Sequence, residues 1–151
     1  MKISDFLSPT QVMLDVKASD KVRLLEQLSS EAAAATGLGA DEVVREIAKR
    51  EELGSTGVGN GVALPHARLP SLKAPFALLA RLRHPIDFDA IDGEPVDIVV
   101  LLLIPEAGDG AKGNALVCAA RALREAKTLQ RVRSAHSQET LYKAVADFNT
   151  A

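Results

Sequence analysis

The amino-acid sequence predicts an α/β protein in which helices pack over a sheet. Three observations carry that expectation. Short runs of strand length are interleaved with longer segments of helical apolar period along the whole chain. Residues 98–105, IVVLLLIP, form a continuous apolar run of the kind presented by a central strand covered on both faces. Hydrophobic residues make up 47% of the chain and aromatic ones only 3%, so the core has to be built from Ala, Val, Leu and Ile. No internal repeat or linker interrupts the pattern, and 151 residues suit one domain, 1–151.

Each element follows from its residues. Residues 11–17 alternate, with Val12, Leu14 and Val16 on one side, as a short strand does. Asp20 opens a helix whose apolar side holds Val22, Leu24, Leu25, Leu28 and the alanines 32–35; Gly37 and Gly39 end it. Asp41 is expected to cap a second helix, with Val43, Val44, Ile47, Ala48 and Leu53 at helical spacing and Gly54 as its stop. A glycine-dense stretch, 54–61, leads into a strand at 62–64, and His66 lies just past that strand. Residues 76–82 read as a further strand. The Asp92–Gly93 turn precedes the central strand at 97–104. Beyond the loop EAGDG, one long helix is expected at about 112–126, and Ser137 caps a last helix bearing Leu141, Val145 and Phe148.

Composition excludes several functions. Lys and Arg number 18 against 20 acidic residues, for a net charge of −2, so the chain offers no basic stripe for nucleic acid. The scarcity of aromatics also argues against a base-stacking platform. Cys118 is the only cysteine, which rules out an internal disulfide and fits a buried small hydrophobe. The segment MKISDFLSPT lacks the apolar core of a secretory signal, and 98–105 is too short to span a bilayer, so a soluble cytoplasmic protein without membrane insertion is expected. Three scattered histidines make no metal site, and no cofactor is expected. Asp87, Asp89 and Asp92 read as turn residues.

Chemistry concentrates in residues 50–68, REELGSTGVGNGVALPHAR. Gly54, Gly57, Gly59 and Gly61 give the backbone access to positive φ and close approach. Successive amides in such a loop can surround an anion, and Arg50 and Arg68 add planar donors suited to a phosphoryl group. A neutral imidazole carries a lone pair on one ring nitrogen and can attack phosphorus, provided the other nitrogen finds an acceptor. The spacing is not a nucleotide fingerprint, because Gly57-x-Gly59-x-Gly61 precedes a strand instead of following one.

This segment resembles the active-site signature of the fructose/mannitol-type enzyme IIA proteins of the phosphoenolpyruvate-dependent phosphotransferase system. GSTGVGNGVALPH is most similar to the nitrogen-related branch, and so is HPIDFDAIDGEPVDIVVLLLIP at 84–105. The resemblance implies a mixed β-sheet with helices on both faces, the mannitol-type enzyme IIA sandwich. It implies that His66 accepts a phosphoryl group on Nε2 and that Arg50 lies beside it. Thr56, Gly57, Gly59, Asn60 and Gly61 match the loop that shapes the pocket. The implied donor is an HPr-like phosphocarrier, called NPr in this branch, and the implied output is regulatory, toward potassium transporters, sensor kinases or other partners.

One departure stands out. The family carries a second active-site histidine near the start of the long helix, where this chain reads EAGDGAKGNALVCAARAL. Lys112 falls at that place, with Asn114 close by, and either is a candidate to support the phosphoryl group. Leu64, Val58 and Leu69 are expected near the rim where a carrier docks. Three readings stay open: a regulatory phosphoryl carrier, a sugar-specific enzyme IIA that passes phosphate to a IIB domain, and a binding-only regulator that has lost transfer. The absence of a fused IIB or IIC segment favours the first over the second.

Overall fold

The computed structural model describes residues 1–107 and 114–148. After short 3-10 turns at Ile3–Asp5 and Pro9–Gln11, β1 (Val12–Val16) leads into the helices α1 (Lys21–Thr36) and α2 (Ala40–Glu52). Next come β2 (Gly57–Gly59), β3 (Val62–Ala63), β4 (His66–Leu69), β5 (Phe76–Ile86) and β6 (Val96–Pro105). The chain finishes with α3 (Ala115–Arg124), α4 (Ala126–Ser134) and α5 (Gln138–Ala146).

The strands form one mixed sheet in the order β1-β5-β6-β3-β2, with β4 following β3 along the same side of β6. β1 is parallel to β5, β5 antiparallel to β6, and both β3 and β4 parallel to β6. Side chains of β6 alternate between faces. Ile98, Val100 and Leu102 join the core beneath α3, α4, α5 and the first 3-10 turn. Val99, Leu101 and Leu103 join a second core beneath α1 and α2. Every residue from Ile98 to Leu103 is buried, which is why the run is apolar without alternation.

Local signals account for most element ends. Asp20 caps α1 by accepting the Arg23 N–H at 2.8 Å, and Gly37 closes it at φ 79°. The Ser137 hydroxyl accepts the Thr140 N–H at the start of α5. Two expectations are corrected and two are extended. Gly39 stands at the N-cap of α2, and Asp41 lies inside the first turn, where its charge suits the helix dipole. Within the described residues the helix expected at about 112–126 is α3; Glu125 then adopts extended backbone (φ −73°, ψ 124°) and starts a further helix, α4, beyond those expected. His66 lies past β3, as expected, and also begins a strand of its own, β4. The glycine stretch is not a loop throughout: β2 and β3 pair across Asn60–Gly61, whose φ values of 58° and 79° make the two-residue turn that Asn-Gly favours.

Candidate functional site

His66 opens β4 opposite Leu102, half-buried. Ala67 and Leu69 point into the α1–α2 core, so alternation puts His66 on the other face with Arg68, which is exposed. The His66 Nδ1 lies 2.8 Å from the Leu64 carbonyl oxygen. A carbonyl only accepts, so Nδ1 carries the proton and donates, and the neutral ring keeps its lone pair on Nε2. Leu64 is held in turn: its N–H donates to the Thr56 carbonyl at 3.0 Å. The Pro65 carbonyl accepts the Leu102 N–H at 2.9 Å and ties the same stretch to β6.

Thr56 is buried behind this stretch. Its hydroxyl donates to Glu51 Oε1, and its N–H approaches both Glu51 oxygens at 3.2 and 3.3 Å. The Glu51 side chain is only 6% exposed and pairs with Lys21 Nζ at 2.9 Å. Lys21 also donates to the Phe88 carbonyl at 3.2 Å and lies 4.6 Å from the Phe88 ring centroid, where the π face favours a cation. Ser55 donates to the same carbonyl at 2.8 Å.

The remaining loop residues shape the hairpin. A Cβ on Gly57 would stand 2.8 Å from the Ala90 backbone, and the Gly57 carbonyl accepts the Ile91 N–H. Gly59 is buried at φ 103°. The Asn60 N–H donates to Asp92 at 3.1 Å, and the Asn60 carbonyl accepts from Arg133 Nη2 at 2.6 Å. Arg133 meets Asp97 through two bonds, at 2.9 and 3.1 Å, and a Cβ on Gly61 would fall 2.4 Å from its guanidinium. The Glu94 amide first, and the Asn60 amide second, hold the Asp92 carboxyl below its ordinary value. Val62, just inside the tip, stands four residues of register from His66, about 13 Å along the sheet.

Arg50 lies in the last turn of α2, and its guanidinium donates to the Gly54 carbonyl at 2.9 Å, which uses one of five N–H groups. Lys112 lies outside the described residues. Asn114 caps α3, its side-chain oxygen accepting the Leu116 and Val117 amides at 2.9 and 3.2 Å. Of the expected rim residues, Val58 is exposed, but Leu64 and Leu69 are buried, because their positions in the strand line face the two helix layers. Exposed Leu53 and Ile91 flank the loop instead. Asp87 and Asp92 each accept the amide two residues on, as turn residues do. Cys118 is buried, which pushes its thiol pKa up. Among the described residues no cluster could hold a metal ion, and no helix is long and apolar enough to cross a membrane.

Sequence reasoning missed Glu51 and Leu64. Leu64 acts through its backbone, which no side-chain motif reports. Glu51 left one signal: it is an anion at a helix C-terminus, as Lys21 is a cation at a helix N-terminus. Each stands at the wrong end of its helix dipole, and the two compensate each other across the α1–α2 pair.

A mixed sheet coated by helices on both faces is the fold of the mannitol-type enzyme IIA. The Escherichia coli IIA mannitol structure shares this fold at TM-score 0.72 and 19% identity, over 93% of this chain and 99% of that one. The family model described as "Phosphoenolpyruvate-dependent sugar phosphotransferase system, EIIA 2" matches residues 5–147, and the chain belongs to that family. Within it the similarity runs to the nitrogen-regulatory type. A nitrogen regulatory protein of Bradyrhizobium diazoefficiens is 39% identical over 97% of this chain and 95% of its own length. The structure of nitrogen regulatory protein IIA-Ntr from Neisseria meningitidis superposes at TM-score 0.86 with 31% identity, over 95% of this chain and 98% of that one.

Proposed function

We propose that the protein carries a phosphoryl group on His66 Nε2, received in the cytoplasm from an HPr-like carrier of the NPr kind, and regulates partners by its phosphorylation state. The observation that carries this reading is the 2.8 Å bond between His66 Nδ1 and the Leu64 carbonyl. In the neutral ring that bond leaves the lone pair on Nε2, the form in which an imidazole is a nucleophile, and the ring is half-buried.

The step balances without an external proton. The Nε2 lone pair attacks phosphorus on the carrier's phosphohistidine. The carrier's N–P bond breaks, and its electron pair returns to the carrier's ring nitrogen. His66 then bears the phosphoryl group on Nε2 and keeps its proton on Nδ1, so the ring is cationic and the Leu64 carbonyl stabilises it. Arg50 and Arg68 supply positive charge for the phosphoryl oxygens, and Lys112 takes the place of the family's second histidine. Thr56, Gly57, Gly59, Asn60 and Gly61 shape the pocket, with the Thr56 hydroxyl committed to Glu51. Potassium transporters and sensor kinases are the classes of target this reading points to. The similarity to nitrogen regulatory proteins favours it over a sugar-specific enzyme IIA.

The test is intact mass after incubation with phosphoenolpyruvate, enzyme I and the carrier. Wild type should gain one phosphoryl group and His66→Ala none. No gain in wild type would leave the binding-only regulator in its place. A pull-down comparing the phosphorylated and unphosphorylated forms would then identify the targets.

A further inference from the structure

We infer that Glu51, paired with Lys21, is a positioning residue that sets the tautomer of His66 through Thr56 and Leu64. This inference rests on the reading of His66 as phosphoryl acceptor, but its structural half can be tested without that reading.

The path is continuous. Lys21 Nζ holds Glu51 Oε2 at 2.9 Å. Glu51 takes both the hydroxyl and the N–H of Thr56. The Thr56 carbonyl takes the Leu64 N–H at 3.0 Å, and the Leu64 carbonyl takes the His66 Nδ1–H at 2.8 Å. Every link is a hydrogen bond with one possible direction, because a carboxylate and two carbonyls only accept. The orientation of the ring therefore depends on where the Leu64 peptide stands.

The surroundings make that dependence strong. Pro65 has no N–H, so the residue between Leu64 and His66 cannot donate to a neighbouring strand. Between the ladders of β3 and β4, two bonds locate Leu64 and Pro65: Leu64 N–H to Thr56, and the Pro65 carbonyl to Leu102. Glu51 governs the first. It also sits only 6% exposed beside a lysine that is 18% exposed, where water competes poorly for either partner. A pair that only closed the α1–α2 hairpin would not need the Thr56 hydroxyl and amide as further partners. Here the carboxylate fills its acceptor sites with the ammonium on one side and the active-site backbone on the other.

The experiment uses the full-length, unphosphorylated protein labelled with 15N, and reads the His66 ring nitrogens by NMR at a pH where the ring is neutral. Wild type should show the Nδ1–H form. Glu51→Gln and Thr56→Val should both show a mixture containing the Nε2–H form, and Thr56→Ser, which keeps the hydroxyl, should resemble wild type. Phosphorylation by the carrier should slow about tenfold or more in Glu51→Gln and Thr56→Val, the size expected from a misplaced nucleophile. Should Glu51→Gln fail to fold, Thr56→Val carries the test, because it removes one hydroxyl and keeps the shape. Folded variants that retain the Nδ1–H form, with rates within about twofold of wild type, overturn the inference. Should wild type accept no phosphoryl group, the proposed function fails, and the tautomer comparison alone still decides the role of Glu51.

Discussion

The β2–β3 hairpin is held at both ends by an ion pair, and the two pairs differ in burial and in what they hold. At the inner end, Lys21 and Glu51 are 18% and 6% exposed and grip Thr56, next to the Leu64 carbonyl that orients His66. At the tip, Arg133 and Asp97 are 39% and 25% exposed and grip the Asn60 carbonyl, beyond Val62, which is itself about 13 Å along the sheet from His66. On the proposed reading, the buried pair fixes the position of one peptide that the chemistry uses. The exposed pair fixes the register of a turn that Asn-Gly already favours. The same kind of contact therefore serves the site at one end and the fold at the other.

The largest expected effect lies at the inner end. Lys21→Met leaves the Glu51 carboxylate buried with only Thr56 for company, and should lower unfolding free energy by about 3 kcal/mol in urea denaturation. A loss below about 1 kcal/mol would mean that water reaches the pair freely and that the two ends do not differ.

Gly57→Ala is next. The added Cβ meets the Ala90 backbone at 2.8 Å, and backbone cannot swing aside as a side chain would. A cost of about 1–3 kcal/mol is expected, with the Ile91 amide exchanging faster with solvent. At the tip, Asp97→Asn should cost about 1 kcal/mol or less, shrink further in high salt, and leave the His66 tautomer unchanged. A change of tautomer there would show that the tip reaches the site after all.

The smallest effect is a pH response. The amides of Glu94 and Asn60 hold the Asp92 carboxyl below its ordinary value. The lowered group gives its full contribution to stability above its unfolded value and loses it as pH falls through the folded one. Acid titration followed by NMR should therefore move the Asn60 and Glu94 amides together, with a midpoint more acidic than an ordinary aspartate. A midpoint at or above the ordinary value would contradict the assignment.

Much of this architecture was legible from residues close in sequence. The cap at Asp20, the stop at Gly37 and the two-sided burial of 98–103 are local signals, and each appears in the fold. Asn60–Gly61 is also a strong local signal for a hairpin, but three neighbouring glycines made the stretch read as one loop. The helix α4 restarts directly after Glu125, with no glycine or proline to announce a new element. At the site, His66 and its loop stood out by motif. Glu51 did not, because its partner Lys21 lies on another helix, and because a glutamate in the run REEL reads as solvated.

The central claim is that His66 presents Nε2 while Leu64 keeps the proton on Nδ1. The most direct test is 15N and 31P NMR of the protein after phosphorylation by the carrier. A single phosphohistidine at His66 with phosphorus bonded to Nε2 is the predicted result. Phosphorus bonded to Nδ1, or on any other residue, would contradict the account.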